Sequence, residues 1–178
     1  MCIRDSHLAH LQVVHPDDVP RFAELEAVAN IQPFWGAHQL QMDELTIPFL
    51  GEERSTLQYP FGDLVRAGAR IAAGSDWSVS SPDPIQGIHV AVNRVEPGSS
   101  ERPFNAHNNL SLAAAVHAYT AGSAYVNHLD DRTGSLQAGY LADLAVLDKD
   151  VFAGPREEIA DAKVVATYVE GERVYSAG

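Results

Sequence analysis

Apolar strand-like segments alternate with helix-like segments from residue 7 to about residue 130, and this alternation constrains the fold most. Residues 7–14, 28–32 and 69–73 are apolar enough to form buried strands. The residues between them carry helical spacing and helix-boundary signals. Strands that alternate with helices are typical of a parallel sheet covered by helices. The sequence therefore predicts an α/β fold for this part of the chain.

Helix boundaries in this part are marked by capping and breaking residues. Residues 16–18 (Pro-Asp-Asp) indicate a helix start, because acidic side chains are favoured in a first turn. A short helix over 61–67 is predicted to end at Gly68, which suits the position after a helix. Two longer helices are predicted over 82–94 and 111–129.

After residue 132 the pattern changes from helical spacing to turns and strands. Residues 133–148 contain turn residues followed by a short apolar run, and residues 164–175 predict a hairpin centred on Gly171. The sequence therefore divides into a βα part, residues 1–132, and an all-β part, residues 133–178.

The chain is acidic, with 12 Lys and Arg against 24 Asp and Glu and a formal net charge of −12. Such a charge repels phosphate backbones and anionic headgroups, so neither a nucleic acid nor a membrane is expected as a partner. Cys2 is the only cysteine, which excludes an internal disulfide and a multi-cysteine zinc site. No apolar run approaches the ~20 residues that span a bilayer, and the first six residues do not resemble a signal peptide. The expected location is cytoplasmic.

Asp76 is the first candidate for chemistry, because it directly follows the predicted strand over 69–73. Reactive groups gather at the carboxyl ends of parallel strands, where the loops converge. A carboxylate there can bind a divalent cation or accept a proton from an activated water. The alternative is a structural role in a turn or a helix cap, which aspartate often has.

His10 is the second candidate, because it lies on a predicted strand and neutral imidazole is a common metal ligand. The alternative is a buried histidine whose hydrogen bonds are satisfied within the core. His38 lies in a long polar loop predicted over 34–58, from which it could reach the site. The sequence contains no HxH, HExxH or CxxC pair, so it offers no self-contained metal motif.

Arg94 and Trp77 are candidates for substrate binding. Arg94 could bind a substrate carboxylate through two hydrogen bonds, and the alternative for it is a surface ion pair. Trp77 follows Asp76 directly and could form a wall of a substrate pocket, and the alternative for it is ordinary packing.

Several segments, taken in order, resemble the carboxyl-terminal half of the metal-dependent amidohydrolase superfamily, in particular its YtcJ-like branch, amidohydrolase family 3. No single motif is decisive, but the order and spacing of the set are characteristic. The matching stretches are AHLQ at 9–12, PDD at 16–18, ANIQP at 29–33, GARIAAGSDW at 68–77, DPI at 83–85, AVNR at 91–94, GSLQAGYLADLAVLD at 134–148 and VEGERV at 169–174.

The resemblance implies a (β/α)8 TIM barrel with a small β-sandwich, of which this chain would hold the carboxyl-terminal barrel strands and helices, a partial barrel, followed by sandwich strands. It also implies hydrolysis of carbon–nitrogen bonds in small-molecule amides, with a divalent metal that is often zinc. By motif position, His10 resembles the metal-binding histidine of the sixth strand. Asp76 resembles the eighth-strand aspartate, which binds metal, takes a proton from the attacking water and passes it to the leaving nitrogen.

Other motifs of the family have no counterpart in this sequence: the first-strand HxH pair, the mid-barrel lysine or glutamate and the fifth-strand histidine. A complete barrel needs ~250 residues, and a catalytic zinc usually takes three protein ligands. We therefore expect an amino-terminally truncated chain that is inactive alone. Two alternatives stay open: a non-catalytic α/β binding or assembly module, and a barrel completed by pairing with another chain in a homo-oligomer.

Overall fold

A computed structural model describes residues 6–178, and within them six strands form two sheets. The strands are β1 (His7–Ala9), β2 (Val28–Ile31), β3 (Ile71–Ala73), β4 (Leu144–Leu147), β5 (Val164–Val169) and β6 (Glu172–Ser176). The α-helices are α1 (Arg21–Glu24), α2 (Ile47–Leu50), α3 (Glu52–Ser55), α4 (Phe61–Arg66), α5 (Pro84–Asn93), α6 (Leu112–His117) and α7 (Ser123–Val126). Short 3-10 segments cover Pro16–Asp18, Pro33–Gly36, Ala106–Asn108 and Arg156–Asp161, and π-helical segments cover Gln41–Thr46 and Ala118–Gly122.

The first sheet is parallel and has the order β1-β2-β3. Ala9 pairs with Asn30, and Asn30 pairs with Ala72, so the three strands end at the same edge. β2 lies in the middle and is largely buried, which agrees with its nearly continuous apolar sequence. β1 has one neighbouring strand and its residues are exposed. The α/β fold predicted for this part is confirmed.

The second sheet is antiparallel and has the order β4-β5-β6. β5 and β6 form the predicted hairpin, and Gly171 at its turn has a φ of +85°. Glycine adopts this backbone conformation without steric cost. The molecule is therefore an α/β protein with two small sheets.

Two sequence-based predictions about the elements after β1 and β2 are wrong. The strand predicted over 7–14 ends at Ala9, because His10 and Leu11 adopt positive φ angles of 65° and 56°. The long loop predicted over 34–58 is mostly helical and contains the segment Gln41–Thr46 with α2 and α3. Met42 in the segment Gln41–Thr46 is buried in the core. The polar composition of the loop predicted over 34–58 does not indicate a buried residue there.

The predicted helix over 111–129 does begin at Ser111, whose side chain accepts a hydrogen bond from Ala114 N at 3.2 Å. It continues as α6, a π-helical segment and α7 rather than as one regular helix. Gly122 in the π-helical segment contacts the Ile71 carbonyl oxygen of β3 so closely that a Cβ there would collide with it. The π-helical segment therefore packs directly against the backbone of β3.

The core lies between the parallel sheet and the helices that follow its strands, with Ile31, Phe61 and Leu64 fully buried. Residues from the all-β part also enter this core. Ile159 is buried in it, and Asn93 Nδ2 at the end of α5 donates to the Arg156 carbonyl oxygen at 2.8 Å. None of the helices in residues 6–178 has the length and apolar character that crossing a bilayer requires.

Candidate functional site

The carboxyl ends of the three parallel strands bring three polar side chains to one edge of the sheet. His10 directly follows β1, Gln32 directly follows β2, and Asp76 follows β3 after Gly74 and Ser75. In a parallel sheet these ends face the same side, which is where ligand sites of α/β proteins form.

His10 and Asp76 lie close together at this edge. His10 Nε2 is 3.8 Å from Asp76 Oδ1, and the two side chains are 50% and 28% exposed. Both residues have positive φ angles, 65° and 61°, which an L-residue seldom adopts without a reason in the surrounding structure. Thus residues that are 66 positions apart in the sequence form a partly exposed imidazole–carboxylate pair.

Gln32 is the residue of this edge that the sequence analysis did not single out. Its Oε1 accepts a hydrogen bond from His10 N at 2.6 Å, and its Nε2 donates to Asn30 Oδ1 at 2.9 Å. Only 6% of Gln32 is exposed. The available signal was a polar residue at the end of an apolar strand, immediately before Pro33.

Two hydrogen bonds to backbone carbonyl oxygens within residues 75–80 stabilise the turn that follows Asp76. The Asp76 carbonyl oxygen accepts from Val79 N at 2.8 Å, and Ser80 Oγ donates to the Ser75 carbonyl oxygen. Trp77 in this turn is 71% exposed, so the alternative of ordinary core packing is wrong for it.

Arg94 does not form the surface ion pair that was considered for it. Its side chain is fully buried, Nε donates to the Phe104 carbonyl oxygen at 2.9 Å, and the guanidinium carbon lies 5.0 Å from the Phe61 ring centroid. Neither Nη1 nor Nη2 has a hydrogen-bond partner within residues 6–178. Burial lowers the pKa of the Arg94 guanidinium to about 9. A substrate that meets this group would have to reach the interior of the fold.

A pocket of about 190 Å³ lies beside His10. Its lining includes His10, Gln12, Trp35, Met42 and Tyr59. His38 is not part of this lining. Its Nδ1 lies 2.6 Å from Asp43 Oδ1, and its ring contacts Phe104 edge-on.

The donor set for a metal consists of two side chains. His10 supplies a nitrogen and Asp76 an oxygen, while no cluster of three or more His, Cys, Asp or Glu side chains that could hold a metal occurs in the part of the chain from residue 6 onward.

Comparison with known proteins identifies the family of this chain. The sequence model of the amidohydrolase family matches residues 3–175. The protein LONG AFTER FAR-RED 3 of Arabidopsis thaliana is 32% identical over 173 residues, which is 97% of this chain and 29% of that protein. The putative amidohydrolase YtcJ of Bacillus subtilis (strain 168) is 29% identical over 173 residues, which is 97% of this chain and 32% of that protein. The chain therefore spans about a third of the length of these curated relatives.

A solved structure agrees with the sequence match. An uncharacterized metal-dependent hydrolase from Pyrococcus horikoshii OT3 superimposes with a TM-score of 0.69 and 27% identity, over 84% of this chain and 30% of that one. The motifs, the parallel sheet and these matches lead to one conclusion: the chain belongs to the amidohydrolase family, in its family 3 branch.

Proposed function

We propose that this chain carries part of the active site of a metal-dependent hydrolase that cleaves non-peptide carbon–nitrogen bonds, such as those of small-molecule amides. The supporting observation is the 3.8 Å separation of His10 Nε2 and Asp76 Oδ1 at the carboxyl edge of one parallel sheet. Membership of the amidohydrolase family supports the choice of bond.

The pair suits a divalent metal, and zinc is the proposed ion. Imidazole nitrogen and carboxylate oxygen bind zinc at ~2.0–2.2 Å, so two such ligands on one ion can lie up to about 4 Å apart. The separation of 3.8 Å fits this range. His10 and Asp76 would hold two positions of the ion. When bound, such a cation supplies a water whose pKa is low enough for it to act as a nucleophile near neutral pH.

The protein groups around the ion have separate tasks. Asp76 is partly exposed, so it can accept a proton from the attacking water at a carboxylate oxygen and pass it to the leaving nitrogen. Gln32 holds the His10 backbone and thereby orients the imidazole. Trp77, exposed beside Asp76, is proposed to contact the substrate. Arg94 is proposed as a substrate-binding residue because a guanidinium can bind a carboxylate through two hydrogen bonds, and its Nη1 and Nη2 have no hydrogen-bond partner within residues 6–178.

For the fold, we propose that β1, β2 and β3 are the last three strands of a (β/α)8 barrel and that β4, β5 and β6 belong to a β-sandwich. The parallel pairing of the first sheet and the antiparallel pairing of the second support this division. The proposed boundary lies between residues 132 and 133.

A second candidate function is a non-catalytic α/β binding or assembly module. One observation favours it: within residues 6–178, the candidate metal site has two ligands, whereas a catalytic zinc site usually has three from protein. A homo-oligomer in which another copy completes the ligand set would reconcile the two candidates.

The proposed function is tested by hydrolysis of 4-nitroacetanilide by the proposed full-length parent of this chain, loaded with zinc, because the chain alone is expected to be inactive. Asp76→Asn is expected to lower turnover by about 10²–10⁴-fold, because it removes the group that moves the proton. Asp131→Asn, at an exposed aspartate, is the matched control and should leave turnover unchanged. Near-normal turnover of the Asp76→Asn protein would contradict the proposal, and metal-free protein with unchanged turnover would favour a different chemistry.

A further inference from the structure

A polar side chain lies in the middle of the apolar strand β2. Asn30 stands among Val28, Ala29 and Ile31, all of which are fully buried. Asparagine is depleted in strands, and an amide in such a place needs hydrogen-bond partners. Side chains two residues apart on a strand point to the same face of the sheet, so Asn30 shares a face with Gln32.

Three hydrogen bonds connect the backbone of His10 with the side chain of His7 through these two amides. His10 N donates to Gln32 Oε1 at 2.6 Å, and Gln32 Nε2 donates to Asn30 Oδ1 at 2.9 Å. Asn30 Nδ2 lies 3.0 Å from His7 Nδ1. The four groups form one hydrogen-bonded chain between the ends of β1 and β2.

The backbone N–H of His10 fixes the direction of this chain. A backbone N–H can only donate, so Gln32 turns its carbonyl oxygen toward His10 and its NH2 group toward Asn30. That NH2 group requires the carbonyl oxygen of Asn30, which leaves the NH2 group of Asn30 for His7. A neutral His7 imidazole must then accept at Nδ1 and carry its proton on Nε2.

The bonds of the chain differ in burial, and burial decides how much each contributes. Gln32 is 6% exposed and Asn30 is half-buried, whereas His7 and its bond to Asn30 are exposed. A buried group that loses its partner stays unsatisfied, which costs more than the loss of a bond that water replaces. Asn30 should therefore hold Gln32 firmly, and His7 should contribute little.

We infer that Asn30 is a positioning residue of the proposed metal site, because it holds the Gln32 amide in the orientation that accepts from the N–H of His10. This inference rests on the proposed function, which makes His10 a metal ligand. A purely structural Asn30 would stabilise all parts of the fold equally, whereas a positioning Asn30 acts selectively on the backbone of His10.

The experiment measures amide hydrogen exchange in the metal-free 178-residue chain by NMR. Asn30→Leu keeps a similar side-chain volume and removes the acceptor of Gln32 Nε2. It should speed exchange of the His10 N–H about tenfold more than exchange of the Ala29 N–H, which donates to the Arg70 carbonyl oxygen at 2.9 Å. Asn127→Leu, at an exposed asparagine, is the matched control and should leave both rates unchanged.

Asn30→Asp tests the direction of the chain and does not depend on the folding of Asn30→Leu. Its carboxylate still accepts from Gln32 Nε2, so the His10 N–H should exchange at close to the wild-type rate. A carboxylate has no N–H to donate, so His7 must instead donate from Nδ1. At about pH 8, where an ordinary histidine is neutral, the nitrogen-15 signals of His7 should show an unprotonated Nδ1 in the wild type and a protonated Nδ1 in Asn30→Asp.

His7→Ala should change exchange of the His10 N–H by less than about threefold, because water replaces the exposed bond. The inference is overturned if Asn30→Leu speeds exchange of His10 and Ala29 by the same factor, if Asn30→Asp exchanges as fast as Asn30→Leu, or if Nδ1 of neutral wild-type His7 is protonated. These measurements contain no metal, so they can fail or succeed independently of cation binding by His10 and Asp76.

Discussion

The buried amide of Gln32 fixes the backbone from which His10 projects. Its two ends are both hydrogen bonded, to His10 N at 2.6 Å and to Asn30 Oδ1 at 2.9 Å. A buried polar group with all its partners in place is rigid, and a rigid support reduces the entropy that a ligand residue loses when it binds a metal. Gln32 is therefore a positioning residue of the proposed site.

Gln32→Leu removes both hydrogen bonds at a similar side-chain volume. We expect the free energy of unfolding to fall by about 1–3 kcal/mol, because His10 N and the Asn30 side chain lose a buried partner. Urea unfolding measures this change. Gln137→Leu, at an exposed position, serves as the control, and equal unfolding free energies for the two variants would show that the Gln32 bonds do not support the edge.

The sequence predicts those strands that are marked by one clear local feature. β2, β3 and the β5–β6 hairpin are marked by continuous apolar runs or a turn glycine, and each lies where the sequence places it. The helices within residues 34–58 were missed, because their helical turns are short and interrupted near Gly51, and because tertiary packing of Met42 supplies part of their stability.

The candidate site was predictable in part, for a related reason. Asp76 follows an apolar segment, so topology suggests an edge position for it. His10 is predicted within the strand over 7–14, and only the resemblance to the amidohydrolase superfamily joins it to Asp76. Gln32 lies in the matching stretch ANIQP at 29–33, but the resemblance assigns it no role. Its role depends on a hydrogen bond between neighbouring strand ends that sequence spacing does not reveal. The burial of Arg94 depends on the packing of distant rings, which is likewise absent from local sequence.

The contact between the π-helical segment Ala118–Gly122 and β3 depends on Gly122. An alanine there gains up to ~1 kcal/mol of helix propensity, but its Cβ collides with the Ile71 carbonyl oxygen, a backbone atom that cannot rotate away. Overpacking of this kind costs about 1–3 kcal/mol. We expect Gly122→Ala to lower the melting temperature, whereas Gly154→Ala, with no atom within 4 Å of the added Cβ, should not. Equal melting temperatures would mean that the space between Gly122 and the Ile71 carbonyl oxygen is large enough for a Cβ.

The contact between α5 and the segment Arg156–Asp161 should depend on pH through His89. Burial lowers the pKa of His89 below its ordinary value of 6.5, although Asp161 and Glu157 act in the opposite direction. The unfolded chain therefore binds a proton at a higher pH than the folded chain. Stability contributed by neutral His89 is complete above pH 6.5 and declines as the pH falls towards the lowered pKa.

His89→Gln should remove this part of the pH dependence, by up to ~1.4 kcal/mol per pH unit for one proton. Urea unfolding at pH 7.0 and about pH 5.5 measures it. His117→Gln, at an exposed histidine of α6, should retain the wild-type difference between the two pH values. If both variants keep that difference, His89 is not its source.

At the scale of the whole molecule, the βα part and the all-β part share one set of buried contacts. Ile159, from the all-β part, lies in the same core as Phe61, and Asn93 hydrogen bonds to the backbone of Arg156. The sequence predicts a change of architecture near residue 132 because its periodicity changes there. Periodicity carries no information on how the parts contact each other, so these contacts could be described only from the structure.

The family match covers nearly the whole chain, while the chain covers about a third of its curated relatives. The proposed function of this chain therefore requires that His10 and Asp76 bind the same divalent cation.

X-ray absorption spectroscopy of the zinc-loaded chain tests that claim most directly. We expect histidine nitrogen and carboxylate oxygen in the first coordination shell of zinc at ~2.0–2.2 Å. The imidazole scattering should be lost in His10→Ala, and the affinity for zinc should be reduced in Asp76→Asn. His117→Ala and Asp131→Asn should leave the spectrum unchanged. A first coordination shell without histidine, or one that His10→Ala does not alter, would contradict binding of the cation by His10.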